Sequence, residues 1–311
     1  MGRRRKPPVG ARPLNGWVIV DKPIGISSAG VVSRLRAALK PMRIGHGGTL
    51  DPLASGVLPV ALGEATKTVS YIMDGTKTYH FTILFGESRD TGDGEGKVTE
   101  TSTVRPETAA IEAILGQFIG VIEQVPPKYS AIKINGKRAY DLARLGEAVE
   151  IPSRMVEIKA LTLISRPDPD HVALELVCGK GTYVRSLAQD LAVALGSVGH
   201  VAELRRTQVG PFGINAAIGL DNLCTLGHSA RDFEYLHPIE TVLDDIPALA
   251  LTGDEAAAMR QGQSVKVFGT RDNDPTTLSD GAVVCAMDGT KLVALARICS
   301  GEVHPVRVLN L

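Results

Sequence analysis

Several patterns that mark whole classes of protein are missing from this chain of 311 residues. Its four cysteines are far apart and form no CxxC pair, which argues against a structural zinc site and a disulfide framework. Its seven histidines occur singly, without an HxxxH pair. No apolar stretch approaches the roughly 18 residues that span a bilayer, and the basic N-terminal segment lacks the apolar run of a secretory signal. We therefore expect a cytoplasmic protein that uses no metal or other cofactor.

The chain also lacks an excess of charge, since 34 Lys and Arg residues balance 34 Asp and Glu residues. The total gives no indication of a polyanionic partner. The distribution is uneven, because residues 1–16 contain five basic groups and no acid, whereas residues 241–311 contain six basic and nine acidic groups. A basic arm at residues 1–15 is a solvated tail or a contact for nucleic acid, and both readings stay open.

Two glycine-rich segments fail as known binding motifs. The segment 179–182 reads GKGT and lacks the glycine that a phosphate-binding loop needs five positions before its lysine. The acidic segment 90–95 lacks the ligand spacing of an EF-hand and is better read as a solvated hairpin tip. We exclude a nucleoside triphosphatase and do not expect a calcium site.

The elements that the sequence predicts are mixed in type. Residues 79–85 and 172–178 alternate apolar and polar side chains as half-buried strands do. Ser27 or Ser28 can cap an amphipathic helix that ends before Pro41. Since strands and helices follow one another without a regular βαβ rhythm, we predict an α+β fold with a mixed, mostly antiparallel sheet flanked by helices.

The last part of the chain predicts a separate β-rich unit. Residues 244–252 are typical of a linker, and residues 254–261 of a short helix that ends at Gly262. Two apolar runs then flank Asp288-Gly289, which is typical of a hairpin turn. We expect a small β module here.

One carboxylate has an unusual setting. Asp51 lies in the segment IGHGGTLDPLASGVLPV, residues 44–60, directly after a glycine-rich turn. Gly47 and Gly48 let a partner approach the backbone closely, and Pro52 favours an extended conformation for Asp51. A turn residue is the simpler interpretation, and spacing alone does not make Asp51 catalytic.

The segment around Asp51 closely resembles the TruB-type tRNA pseudouridine synthases, and the resemblance extends from residue 16 to about residue 212. Its further blocks follow in the order of that family. They are VDKP and GISS at 20–28, KTYHFTILFGESRDTGDGEG at 77–96, PPKYSAIKINGKRAYDLAR at 126–144 and CGKGTYVRSLAQDL at 178–191. Together these motifs are highly specific.

The resemblance implies that the protein isomerises uridine 55 in the T-loop of tRNA to pseudouridine, without cofactor or metal. Asp51 then corresponds to the catalytic aspartate, Tyr79 to the tyrosine that packs on the target base, and Arg185 to the arginine paired with the carboxylate. Tyr183 and Leu204 match further pocket residues. The resemblance also implies that His46 helps to hold the flipped-out nucleotide.

Base flipping suits this reaction, because the glycosidic bond must break and the uracil must turn before C5 joins C1′. An aromatic side chain such as Tyr79 can stack on the base. Three routes stay open for Asp51: addition to the base, bonding to C1′, or removal of the C2′ proton. For Lys22 we leave a structural role and a phosphate contact open.

The resemblance also divides the chain. We expect the basic arm at 1–15, a pseudouridine synthase catalytic domain at 16–245 and a PUA-like module at 246–311. The partner would be the T-arm and elbow of tRNA, bound by a monomer with no obligatory protein partner. Two surface patches could contact the RNA: Arg34, Arg36, Lys40 and Arg43, and then Lys133, Lys137 and Arg138.

Two other functions stay open. The fold could serve a tRNA-binding or tRNA-folding protein without essential catalysis. It could also be the related catalytic subunit of a guide-RNA particle, although the chain has no long basic tails.

Overall fold

A computed structural model describes residues 10–130, 132–134, 136–139, 151–226, 234–266 and 279–311 of the chain. Its strands are β1 (Gly16–Lys22), β2 (Ile44–His46), β3 (Ser55–Leu62), β4 (Lys77–Phe85), β5 (Glu87–Arg89), β6 (Val98–Thr101), β7 (Gly120–Gln124), β8 (Lys133–Ile134), β9 (Lys137–Arg138), β10 (Arg154–Ser165), β11 (His171–Cys178), β12 (Gly199–Val209), β13 (Phe212–Gly213), β14 (Ile218–Gly219), β15 (Ala248–Ala250), β16 (Val283–Asp288), β17 (Lys291–Cys299) and β18 (Glu302–Val308). Its helices are α1 (Ser28–Leu39), α2 (Val69–Asp74), α3 (Thr108–Leu115), α4 (Val184–Ala194), α5 (Leu220–Leu226) and α6 (Gly253–Arg260).

A ten-stranded mixed sheet dominates the fold, in the order β14-β1-β3-β12-β4-β11-β10-β7, with β2 beside β3 and β13 beside β12. The pairs β1/β14 and β3/β12 are parallel, and the other pairs of this sheet are antiparallel. The predicted α+β class with a mostly antiparallel sheet is confirmed. β5/β6 and β8/β9 form separate two-stranded ribbons.

The local patterns explain the elements that frame the site. In α1 the Ser27 side chain accepts a hydrogen bond from Gly30 N, and Lys40 ends the helix in a left-handed conformation. In β4 and β11 the side chains that point inward are buried and the alternate ones are less so. These strands pack with α1 and α4 in one cluster, whose members include Leu35, Phe81, Leu174 and Leu187.

A four-stranded sheet in the order β15-β16-β17-β18, with α6 packed against it, forms the C-terminal part. The linker expected at residues 244–252 is partly wrong, because Ala248–Ala250 form β15, parallel to β16. Three alanine and leucine residues carry too little pattern to indicate a strand. The predicted helix and the hairpin around Gly289 are confirmed.

The C-terminal sheet packs against the ten-stranded sheet. Leu295 and Leu309 share a buried cluster with Trp17 and Phe212. Asn310 N also donates a hydrogen bond of 2.8 Å to a Glu64 carboxylate oxygen. In the part of the chain that the structure describes, no helix is long and apolar enough to cross a membrane.

Candidate active site

Asp51 lies in the loop between β2 and β3, and hydrogen bonds fix the backbone on both sides of it. Ser28 Oγ donates to Leu50 O at 3.0 Å and accepts from Leu50 N at 2.8 Å. Gly25 N donates to Pro52 O at 2.8 Å. The carboxylate therefore projects from a loop that α1 and the preceding turn hold in place.

Lys22 supports the same loop from inside the protein. Its side chain is fully buried, and Nζ donates to Pro23 O at 2.9 Å, Ile26 O at 2.8 Å and Pro52 O at 3.3 Å. Burial lowers the pKa of Lys22 to about 8, against the opposing influence of the Asp51 charge. These contacts favour the structural role for Lys22 over a phosphate contact.

Arg185, in the first turn of α4, contacts the carboxylate directly. Its Nη2 lies 2.9 Å from Asp51 Oδ2, and its side chain is 4% exposed. Nη2 also donates to Tyr129 O at 2.9 Å, and Nη1 donates to Thr91 O at 2.7 Å. A second carboxylate, that of the buried Asp93, lies 3.5 Å from Nη1. Arg185 is thus held by several partners and presents one edge to Asp51.

Arg206 of β12 is a residue that sequence reasoning missed. It is buried, and its guanidinium donates to Val57 O at 2.8 Å and Gly48 O at 3.1 Å, so it braces the glycine turn before Asp51. β12 approaches β3 closely at Gly56, which has φ +101°, and a Cβ there would lie 2.1 Å from Arg206 O. The sequence gives no local signal for this role, because β12 reads GHVAELRRTQV and Arg206 follows another arginine.

These elements surround a cavity of about 280 Å³. Five of the six predicted site residues line it: Asp51, Tyr79, Tyr183, Arg185 and Leu204. The other lining residues are Gly48, Thr49, Leu50, Met73, Lys77, Ser130, Arg154, Gly179, Gly181, Thr182, Val184 and Arg206. Tyr79, from β4, is half-buried, and burial raises the pKa of its hydroxyl. The cavity therefore combines one carboxylate with aromatic and apolar walls.

The cavity lining is rich in cations. Lys77, Arg154, Arg185 and Arg206 are basic, and Asp51 is the acidic residue among them. Burial, with a further contribution from Arg206, lowers the pKa of Lys77 to about 8. Such a lining suits an anionic substrate.

The sixth predicted residue, His46, is placed differently. It is half-buried on β2, opposite Val60 of β3, and does not belong to the cavity lining. Burial, helped by the Arg206 charge, lowers the pKa of its imidazole. Its Nδ1 is buried without a hydrogen-bond partner in the described part of the chain. His46 thus lies beside the site and not in its wall.

The structure describes one of the two predicted basic patches. Arg34 pairs with Asp221 at 2.6 Å and Arg43 with Glu64 at 3.4 Å, while Arg36 and Lys40 are exposed. Half of this patch is therefore already paired with acids. The side chains of the second patch, at 133–138, lie outside the described residues. No group of three or more possible metal ligands occurs among the described side chains.

Comparison with known proteins assigns a family. Residues 36–184 match the model of the TruB family pseudouridylate synthase (N terminal domain), and residues 185–244 match that of the tRNA pseudouridylate synthase B C-terminal domain. The chain is 54% identical to tRNA pseudouridine synthase B of Rhodospirillum rubrum, over 100% of both chains. It is also 54% identical to tRNA pseudouridine synthase B of Bradyrhizobium diazoefficiens, over 96% of this chain and 87% of the relative.

The fold is similar to that of a chain in the crystal structure of a Cbf5-Nop10-Gar1 complex. The TM-score is 0.70 at 26% identity, over 95% of this chain and 84% of that chain. Together with the family models and the full-length relatives, this shows that the chain belongs to the TruB family and is an RNA pseudouridine synthase, an isomerase.

Proposed function

We propose that the protein isomerises uridine 55 in the T-loop of tRNA to pseudouridine, with Asp51 as the catalytic residue and without a cofactor. The observation that carries the proposal is the ion pair of Asp51 and Arg185, 2.9 Å apart in the wall of a cavity that Tyr79 also lines. At about 280 Å³ the cavity is near the lower end of ligand sites, roughly 300 Å³, and suits one nucleotide.

Each site residue has a role in this proposal. The target uridine leaves its stack and enters the cavity, where Tyr79 stacks on the base and Tyr183 and Leu204 form the walls. Asp51 attacks the base or C1′, or removes the C2′ proton. The glycosidic bond between N1 and C1′ breaks, uracil turns and C5 joins C1′. The C5 proton then passes to solvent, N1 takes up a proton, and Asp51 is regenerated as the free carboxylate. One carboxylate is sufficient, unlike the paired acids of glycoside hydrolysis.

Residues outside the cavity would hold the RNA around the flipped base. His46 lies beside the cavity, so we assign it to the backbone of the flipped nucleotide and not to the base. The exposed Arg36 and Lys40, and the basic arm at 1–15, would contact phosphates of the T-arm. We keep the division into a catalytic domain at 16–245 and a PUA-like module at 246–311, and we propose that a cytoplasmic monomer binds tRNA.

The identity of the relatives supports tRNA as the substrate. The relatives with about half of their residues identical over the full chain are named tRNA pseudouridine synthase B, whereas the matching chain of the Cbf5-Nop10-Gar1 complex is only 26% identical. A stand-alone tRNA enzyme is therefore favoured over the subunit of a guide-RNA particle. A tRNA-folding role without catalysis would give no reason for the accessible Asp51 carboxylate to pair with the buried Arg185 in the cavity wall.

The test is tritium release from unmodified tRNA that is labelled at uridine C5. We expect release by the wild type, and a fall on the order of 10³-fold or more in Asp51→Asn, with tRNA affinity changed only several-fold. The matched control is Asp221→Asn, which removes an exposed carboxylate that also pairs with an arginine, and it should react at the wild-type rate.

Turnover by Asp51→Asn near the wild-type rate would disprove the role of Asp51. If neither protein released tritium although both bound tRNA, the non-catalytic function would replace the proposed one. Mapping the product to a uridine other than 55 would overturn the site while leaving the reaction intact.

A further inference from the structure

The segment that carries Tyr183 into the cavity is held by two side chains to which the proposed chemistry gives no role. Tyr183 has extended backbone angles, φ −106° and ψ 113°, and no side chain caps the start of α4. Arg185 follows two residues later, in the first turn. A displacement of Tyr183 would therefore move the cavity wall and Arg185 together.

Gln124, the last residue of β7, fixes the backbone of Tyr183. Tyr183 N donates to Gln124 Oε1 at 2.8 Å, and Gln124 Nε2 donates to Tyr183 O at 3.1 Å. The primary amide thus pairs with both polar groups of one residue. Gln124 is 1% exposed, and its loss would leave the N–H and the carbonyl of Tyr183 without these side-chain partners.

Arg154, the first residue of β10, fixes the side chain of Tyr183. It lies directly opposite Gln124 in the antiparallel pairing of β10 with β7. Its guanidinium carbon is 4.7 Å from the centre of the Tyr183 ring, and Nη2 donates to Gly181 O. A cation over an aromatic ring restricts the orientation of that ring.

We propose that Gln124 and Arg154 are positioning residues for the isomerisation: as opposite members of one cross-strand pair, they fix Tyr183 and the start of α4, and through α4 they align Arg185 with Asp51. The role rests on the proposed function. Small displacements matter at such a site, since about 1 Å can cost on the order of 10²-fold in rate.

The first test compares Gln124→Met with Ser186→Ala in single-turnover tritium release at saturating enzyme. Ser186 Oγ donates to Val125 O at 2.7 Å, so it joins the same two segments through a hydrogen bond that does not involve Tyr183. We expect Gln124→Met to lower the single-turnover rate about 30-fold and to change the tRNA affinity by no more than about threefold. For Ser186→Ala we expect both the rate and the affinity to stay within about threefold of the wild-type values. Equal loss of rate in the two variants would overturn the proposal, because it would indicate general loosening of this contact.

Arg154→Lys is the second variant, and it also decides the case if Gln124→Met does not fold. Lysine keeps the charge but loses the planar face that lies over Tyr183. We expect a rate about tenfold lower at saturation, with little change in tRNA affinity. Weaker tRNA binding with an unchanged saturated rate would instead make Arg154 an RNA contact and overturn its positioning role.

A readout without substrate separates this proposal from the proposed function. The chain has six tyrosines, so 3-fluorotyrosine labelling should give six ¹⁹F resonances, and Tyr183→Phe identifies one of them. We expect Gln124→Met and Arg154→Lys to shift or broaden the Tyr183 resonance, and Ser186→Ala to leave it in place. Absence of tritium release by the wild type would refute the proposed function alone, whereas an unmoved Tyr183 resonance would refute the positioning.

Discussion

The two ends of the ten-stranded sheet are buried in different ways. At one end, β1 and β3 are covered on both faces: Val18 and Val20 belong to the cluster with α1 and α4, whereas Trp17 and Ile19 belong to the cluster with the C-terminal sheet. Toward the other end, from β4 through β11 and β10 to β7, at most every second side chain is fully buried. Since successive strand residues face opposite sides, the C-terminal sheet serves as the second cover of β1 and β3.

This difference indicates that the C-terminal sheet stabilises the fold, a role that its charge does not suggest. The excess of acidic residues at 241–311 does not favour binding to phosphates, but Leu292, Leu295 and Leu309 complete a buried cluster with Trp17 and Phe212 of the ten-stranded sheet. The candidate site lies at the boundary, where β12 pairs with β3 on one side and β4 on the other. We therefore expect substitutions at the β1 and β3 end to lower mainly the stability, and substitutions beyond β12 to affect it less.

The largest effect is expected at the doubly covered end. Phe212 is buried in the shared cluster, 6.1 Å from Trp17 between ring centres. Phe212→Ala should lower the free energy of unfolding by about 3–5 kcal/mol, measured by urea denaturation. The contrasting variant is Val121→Ala on β7, which is 66% exposed and should change it by about 0.5 kcal/mol or less. If both variants lost a similar amount of unfolding free energy, the two ends of the sheet would not differ in their contribution to stability.

A second variant tests whether the C-terminal sheet is docked or independent. Leu309→Ala should cost about 2–5 kcal/mol of unfolding free energy, because Leu309 is buried in the cluster that the C-terminal sheet shares with the ten-stranded sheet. The single tryptophan, Trp17, lies in this cluster and reports on it. We expect Trp17 fluorescence and far-ultraviolet circular dichroism to show one coincident transition. Two separate transitions would mean that the C-terminal sheet unfolds by itself.

The smallest effect concerns the charge of Lys22, which is buried in β1. Its pKa is about 8 in the folded protein, against an ordinary value of 10.5. Between these pH values the unfolded chain binds more protons, so the contribution of Lys22 to stability rises with pH and is complete above 10.5. Relative to Lys22→Met, the wild type should gain about 1–3 kcal/mol across this interval, measured by urea denaturation. A constant difference would contradict the shift.

The parts of the fold that could be predicted from sequence are those that local patterns determine. The alternation in β4 and β11 and the capped α1 need only near neighbours, and they are present as expected. β15 was missed because a three-residue strand forms only when β16 is beside it. Strand order was likewise beyond a local pattern, since it depends on contacts between distant segments.

The site residues likewise divide into those that the sequence could predict and those that it could not. The resemblance brings Asp51, Tyr79 and Arg185 together, and the structure has them in one cavity. Arg206 could not be predicted, because its carbonyl partners lie about 150 residues earlier, at Gly48 and Val57. For the same reason sequence alone could not show that Arg34 and Arg43 are paired with acids.

The position of β12 also sets an order of assembly. β3 and β4 follow one another along the chain, yet they do not pair. β12 lies between them in the sheet and is synthesised more than a hundred residues later. Both strands must therefore keep an edge open until residues 199–209 have been synthesised. Nascent chains that stop earlier would expose two unpaired edges and have no complete cavity, which makes aggregation, and not partial activity, the expected fate of truncated translation products.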